Sequence, residues 1–426
     1  MPITAISVYL QWMETMICLA VPPKTLTMDE AKKTLEGIDN VILFEKEGEM
    51  IDTFLTLIED ADVLSGWNSE GYDIPYTVNR TSRVLSKDDT RRFCLWGQLP
   101  KKRMYEKFGK ESETFDLVGR VHLDSLNLYR KYTYEERHTY RLDAIGEVEV
   151  GENKTVYEGT LDALYNNDFR KFIQYNIQDT ALLDKLDKKL RFIDLSNELA
   201  HANTVMLQTT MGAVAVTEQA IVNEAHHRGL QVPNRKKYDD EATQAAGAYV
   251  AFPKKGLHKW IGSMDLNSLY PCVIRALNMA PETVIGQIRP EISDARVHED
   301  MGLKKKSFAG SWEGRFATEE YEAVMDQSKD IPLTIDWESG GSDVLSGAEL
   351  YKVIFDSNQP WMLSANGTIF TTEFEGVIPG ILKRWYSERK ELQVHLKKAK
   401  DAGNAVEIEY WDKRQLVKKI NLNSLY

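Results

Sequence analysis

Apolar and polar positions along this chain switch between two rhythms, and the switches predict an ordered series of strands and helices. An apolar run from Ile3 to Leu10 reads as a strand, and Val41-Ile42-Leu43-Phe44 as a second. A helix carrying Ile51, Phe54, Leu55 and Leu57 follows. Val63 to Asn68 then reads as a strand that ends in a turn. Arg120 to Asp124 is predicted as a strand, and so is Glu147 to Val150 before Gly151. Between Phe169 and Leu190, Phe172, Ile173, Ile177, Ala181, Leu182 and Leu186 recur at helical spacing. Strands alternating with helices predict an α/β organisation.

The second half reads differently. Leu195 to His227 is again helical, ending near Gly229. Gly247-Ala248-Tyr249-Val250 starts a β region, and His258 to Ser263 reads as a strand approaching a buried sheet. Residues 287–350 are polar and irregular in pattern, with a break at Gly340-Gly341. Asn366-Gly367 between two apolar runs is a hairpin-turn signal. The chain finishes as a helical hairpin: one arm from about Pro379 to Lys400, a turn at Asp401 to Asn404, and a second arm from about Ala405. Repeats and low-complexity tracts are absent.

A length of 426 residues predicts roughly two to four domains. Cys18, Cys94 and Cys272 lie far apart in sequence, which speaks against a disulfide framework and for a reducing compartment. No apolar run is long enough to span a bilayer and the N-terminus lacks a signal-peptide pattern, so the cytoplasm is the expected location and no membrane partner is expected. The net charge of −12 argues against a nonspecific nucleic-acid coat but leaves nucleic-acid enzymes open, because distribution matters more than the total. Lys383, Arg384, Arg389, Lys390, Lys397, Lys398, Lys400, Lys413, Arg414, Lys418 and Lys419 crowd the last stretch, which alone reads equally well as a solvated helix face.

Candidate chemistry gathers in four strings. In Met264-Asp265-Leu266-Asn267-Ser268-Leu269-Tyr270-Pro271-Cys272, a carboxylate follows the predicted strand and a turn closes on Pro271. An Asp so placed can hold a divalent cation over a cleft. In Gly66-Trp67-Asn68-Ser69-Glu70-Gly71-Tyr72-Asp73, the Asp sits where a turn enters a helix, a position that suits a cap or a metal ligand. Tyr175 and Asp179 are four residues apart and share one helix face, as do Lys419 and Asn423 in Lys419-Ile420-Asn421-Leu422-Asn423-Ser424-Leu425-Tyr426.

Taken in order, these strings resemble the motifs of family B DNA polymerases, of the type found in tailed phages related to the T-even group. Asp265 to Pro271 resembles polymerase motif A. Asn68 to Asp73 and Tyr175 to Asp179 resemble the second and third motifs of the 3′→5′ exonuclease, and Lys419 to Tyr426 resembles motif B. The resemblance implies a ribonuclease H-like exonuclease domain over 1–191, a helical connecting segment over 192–236, the N-terminal part of a palm over 237–376, and fingers over 377–426.

It implies a template-directed polymerase with proofreading, using two Mg²⁺ ions per active site. Asp265, with the backbone of Leu266, would be a polymerase metal ligand, and Asp73 and Asp179 exonuclease ligands with Tyr175 orienting water. Ser268, Leu269, Tyr270, Arg389, Lys419 and Asn423 would bind nucleotide, with Tyr270 as a gate against ribose, and Tyr426 would lie near the nascent base pair. Implied partners are primer-template DNA, dNTPs, a sliding clamp and a single-stranded DNA-binding protein, in an infected bacterium. Two departures matter. No Asp-x-Glu precedes Asp73, and no Asp-Thr-Asp occurs anywhere. The expectation is therefore a partial chain, or one half of a split polymerase, inactive alone. A noncatalytic DNA-binding chain is the alternative.

Overall fold

Strand β1 (Ala5–Leu10) turns back at once into β2 (Thr15–Ala20), and the pair runs antiparallel, with Ala5 opposite Ala20 and Leu10 opposite Thr15. This is a computed structural model. It describes residues 1–107, 110–133, 135–152, 159–234, 252–266, 268–305, 307, 311, 315, 317–328 and 330–425. The chain divides into two compact units, Met1–Gly212 and Ala213–Tyr426, and each has a mixed α/β composition.

In the first unit β3 (Val41–Leu43) adds to β2 in parallel. Helix α1 (Met28–Thr34) joins them and is started by a reciprocal cap between Thr27 and Glu30. Helix α2 (Glu47–Leu57) buries Met50, Ile51 and Leu55, one stripe of a 3.6-residue repeat. A second sheet pairs β4 (Val63–Gly66) with β7 (Val121–Asp124) in parallel, so that Gly66 stands opposite Asp124. Helix α3 (Asp73–Val84) leaves the end of β4, and the antiparallel hairpin β5 (Lys101–Lys107) and β6 (Lys110–Asp116) intervenes before β7.

Helix α4 (Ser125–Tyr132) follows β7 directly. The sequence pattern predicts a strand over Glu147 to Val150, but those residues finish helix α5 (Leu142–Val150). The correction has a simple cause: Leu142 and Ile145 face the core one turn earlier, and Gly151, at φ 73°, ends a helix rather than a strand. After α6 (Leu161–Asn167), helix α7 (Phe169–Leu190) realises the predicted period, burying Phe169, Phe172, Ile173, Leu182 and Leu186. It packs on β1, where Ser7 Oγ donates to Asn176 Oδ1 at 2.5 Å. Helix α8 (Phe192–Asn203) closes the unit.

The second unit opens with α9 (Ala213–His227). The predicted strand at His258 to Ser263 is absent: residues 252–266 form no regular element, and Trp260 adopts φ 58° with its side chain 100% exposed. A lone extended segment cannot satisfy its own backbone groups, and no strand of the neighbouring sheet pairs with this one. The predicted β region at Gly247 to Val250 lies outside the described residues.

Residues 287–350, expected to be irregular, instead contribute to a five-stranded antiparallel sheet of order β10-β9-β8-β12-β11. Its strands are β8 (Val284–Ile288), β9 (Pro332–Trp337), β10 (Ser342–Ser346), β11 (Trp361–Leu363) and β12 (Thr368–Thr371). Gly340 and Gly341, at φ 95° and 90°, make the β9–β10 turn. Ile288, Leu333, Ile335, Leu350 and Ile369 form the core under the sheet. The predicted β11–β12 hairpin is present, with Trp361 opposite Thr371. So is the terminal helical hairpin: Val377–Ala402, then Gly403 at φ 67°, then Ala405–Ser424 capped by Asn404, whose side chain accepts from the Glu407 amide at 3.3 Å.

Candidate active-site residues

The motif around Asp265 divides into two environments. Asp265 and Leu266 belong to the exposed irregular segment, with Leu266 67% exposed. Ser268, at φ 55°, caps helix α10 (Leu269–Ala276), and its carbonyl accepts from the Cys272 amide at 3.0 Å. Leu269 and Tyr270 sit exposed on the first turn while Pro271 is buried. Pro at that position loses no helical hydrogen bond, because first-turn amides have no intrahelical acceptor.

Helix α10 packs on the first hairpin helix. Ile274 touches the core of Val377, Ile381, Leu382, Trp385 and Leu422, and the Arg275 guanidinium lies 5.4 Å from the centre of the Tyr386 ring. The segment after α10 also fixes where that helix starts. Asn278 Nδ2 donates to the Thr371 and Phe374 carbonyls at 2.7 and 2.8 Å, and its Oδ1 accepts from the Gly376 amide at 3.0 Å. The Glu282 carboxylate accepts from the Val377 amide at 2.6 Å, a negative charge at a helix N-terminus. Asn278 and Glu282 escaped the sequence reading because their partners lie about 95 residues away in sequence.

On the hairpin, Arg389 reaches the second helix, Nε to Gln415 Oε1 at 3.4 Å, beside a Lys418–Glu388 ion pair at 2.5 Å. Gln415, Lys419 and Asn423 follow one another at four-residue steps, so Arg389 points toward the helix stripe that carries Lys419 and Asn423. Arg389 and Lys419 are half-buried and Asn423 is exposed. Among the described contacts none joins Asp265 to this stripe. Tyr426 and Asn267 lie outside the described residues.

In the first unit Asp73 is the first residue of α3. Burial pushes its carboxyl up from the ordinary range; its own backbone amide works the other way, and the negative charge of Asp124 adds to the rise. Asp124 was not singled out in the sequence. Its carboxylate accepts three backbone amides: Asn68 at 3.0 Å and Leu126 at 2.9 Å on Oδ1, and Glu70 at 3.0 Å on Oδ2. Hydrogen bonds to a charged acceptor contribute about 1.5–3 kcal/mol each. Tyr175 and Asp179 lie half-buried on α7, one position before Asn176 and Thr180, which face β1. No described contact joins them to Asp73.

A divalent cation needs several oxygen, nitrogen or sulfur donors converging on one point. Among the described residues, no group of three or more His, Cys, Asp or Glu side chains converges to hold a metal. Asp265 contributes a single carboxylate, and the Asp124 oxygens are already taken by amides. The described residues therefore do not complete a metal site in either unit. No helix among them is long and apolar enough to cross a membrane.

Comparison with known proteins settles the lineage. The family model described as "DNA polymerase family B" matches residues 203–426, more than half of the chain. The chain belongs to DNA polymerase family B. The model for the exonuclease domain of the same family matches residues 1–145, so Asp73 and Asp124 lie inside it, whereas Tyr175 and Asp179 fall between the two matches.

Among individual family B relatives, the "DNA-directed DNA polymerase" of Enterobacteria phage T4 is 29% identical over 258 residues, which covers 60% of this chain and 28% of the phage protein. That of Escherichia phage RB69 gives the same identity and coverage. A "DNA polymerase" of Pyrococcus glycovorans is 23% identical over 397 residues, covering 91% of this chain and 41% of the archaeal protein. The chain thus spans well under half the length of these relatives.

Proposed function

We propose that this family B chain is the proofreading and nucleotide-binding part of a template-directed DNA polymerase that acts on primer-template DNA and dNTPs in an infected bacterium. On this reading residues 1–191 form the ribonuclease H-like exonuclease domain and 192–236 the connecting helices. Residues 237–376 supply the N-terminal palm and 377–426 the fingers. A sliding clamp and a single-stranded DNA-binding protein are the further partners this role calls for.

The observation that carries the reading is the tie between α10 and the hairpin. It holds the Ser268–Tyr270 turn on a helix packed against the one that bears Arg389. Arg389 and Lys419 supply two cations to a triphosphate, the Arg by a planar fork and the Lys as a point charge. Asn423, Ser268 and Leu269 complete the nucleotide contacts. The Tyr270 ring, exposed on the first turn of α10, is assigned the part of a gate against a ribose 2′-hydroxyl. Tyr426, outside the described residues, is assigned to the nascent base pair by its place in the motif. In the first unit Asp73 and Asp179 are the acidic groups of the exonuclease and Tyr175 orients the attacking water.

Family B chemistry uses divalent cations, here Mg²⁺, two at each site. Asp265 with the Leu266 carbonyl, and Asp73 with Asp179, are the residues of this chain assigned to them, and each site would require a further carboxylate that the described residues do not bring together.

A noncatalytic DNA-binding role is the second reading, favoured by the incomplete donor sets. The two part company in the full-length polymerase. Asp265→Ala there abolishes primer extension and leaves single-strand degradation, while Asp73→Ala does the reverse. A protein indifferent to both substitutions supports the noncatalytic reading.

A further inference from the structure

We propose that Asp124 is a positioning residue of the exonuclease site: its carboxylate fixes the turn between β4 and α3 that sets Asn68 and Asp73. The inference rests on the exonuclease reading of the first unit. Asp124 caps α4 through the Leu126 amide at 2.9 Å, and capping needs no more than that one bond. Its other two bonds reach 56 and 54 residues back, to the amides of Asn68 and Glu70, and so bind the end of β7 to the turn that leaves β4.

The turn needs such a fastening. Asn68 holds a left-handed φ of 61°. A Cβ at Gly66 would come within 2.9 Å of the Ser69 Cβ, and one at Gly71 within 2.9 Å of Asn68 Oδ1. The Ser69 carbonyl then accepts from the Ile74 amide at 2.9 Å, which starts α3 with Asp73 in its first turn.

The surroundings hold the other side of the turn. Ser69 Oγ lies 2.8 Å from His122 Nε2 on β7. The Glu70 carboxylate is taken by Arg103 at 2.5 Å and Asn127 at 2.7 Å, and its carbonyl accepts from Thr114 Oγ1 at 2.8 Å. Asp124 itself is 6% exposed with both oxygens engaged, so it acts through the turn rather than on substrate.

Two measurements test this. On the chain itself, Asp124→Ala raises amide hydrogen exchange at Asn68 and Glu70 by about tenfold or more, while α7 amides keep their protection. In the full-length polymerase the same change lowers kcat for single-strand degradation about 10–100-fold, the range for groups that orient a site's ligands, and leaves KM for DNA and primer extension within about twofold. Asp124→Asn keeps the oxygen shared by Asn68 and Leu126 and recovers most of the rate, with faster exchange confined to the Glu70 amide.

Unchanged exchange in either variant, or degradation within about twofold of wild type in Asp124→Ala, overturns the proposal. So does a loss in Asp124→Ala that Asp124→Asn fails to recover. If Asp124→Ala does not fold, the exchange pattern of Asp124→Asn decides alone. Asp73→Ala separates the two layers: degradation that survives it sinks the exonuclease reading, whereas degradation lost in Asp73→Ala and kept in Asp124→Ala sinks only the role of Asp124.

Discussion

Arg384, near the start of the first hairpin helix, donates its Nη1 to the buried carboxylate of Glu224 on α9. Arg228 donates to the same carboxylate from Nε at 2.9 Å. Burial alone would raise the Glu224 carboxyl, but the two hydrogen bonds and the charges behind them hold it below its ordinary value. A depressed folded value means that the stabilisation is present above the ordinary glutamate range and is lost as pH falls through the folded value. Glu224→Gln is expected to cost about 1–2 kcal/mol near neutral pH, discounted because Arg384 is half-exposed. Denaturant unfolding of both proteins should show that gap closing below about pH 4. A gap that persists in acid would contradict the assignment.

Gly347 tests the packing of the second unit. A Cβ there would stand 2.1 Å from the Ala323 carbonyl oxygen, so the Gly347–Tyr351 helix and the Thr318–Met325 helix would have to separate. Gly347→Ala should destabilise this unit by about 1–3 kcal/mol, the range for an overpacked core. Its melting temperature is the readout, and a variant as stable as wild type would mean the two helices are not in this contact.

Lys419→Met and Arg389→Ala bear on triphosphate binding. In the full-length polymerase each should lower kcat/KM for a correct dNTP by at least about tenfold, on the order of 1.4 kcal/mol, with little effect on single-strand degradation. Equal losses in both activities would point to damage of the fold instead.

Tyr270 is 48% exposed, so its truncation costs little stability. Tyr270→Ala should keep the melting temperature and raise ribonucleotide incorporation relative to deoxyribonucleotide. Selectivity identical to wild type counts against its part as a sugar gate.

Purified by itself, the chain should neither extend a primer nor degrade single-stranded DNA, because neither set of acidic groups is complete among the described residues. Steady dNTP incorporation by this chain alone would overturn that expectation.

Long, strongly periodic elements were legible in the sequence. Helix α7 and the terminal hairpin announce themselves through ten or more residues of consistent spacing, and local caps such as Asn404 mark their ends. Strands were harder, since a strand exists only where a neighbour takes its hydrogen bonds. His258 to Ser263 has the apolar content of a strand and finds no partner, while β9, with a polar residue at every second position, pairs on both sides. Glu147 to Val150 misled because four residues are too short a window to separate the last turn of a helix from a strand. Within the candidate site, Lys419 and Asn423 could be paired from their spacing alone. Asp124 could not be tied to Asn68, because that contact depends on β4 and β7 lying side by side.

The basic hairpin has a consequence for how the protein behaves in a purification. Residues 377–426 hold eleven Lys and Arg against six Asp and Glu, a local charge of +5 in a chain whose total is −12. The remaining residues therefore carry −17. A column reads the patch before it reads the sum, so at low salt the protein should be retained on heparin as well as on an anion exchanger, although its isoelectric point near 5.3 predicts the second alone.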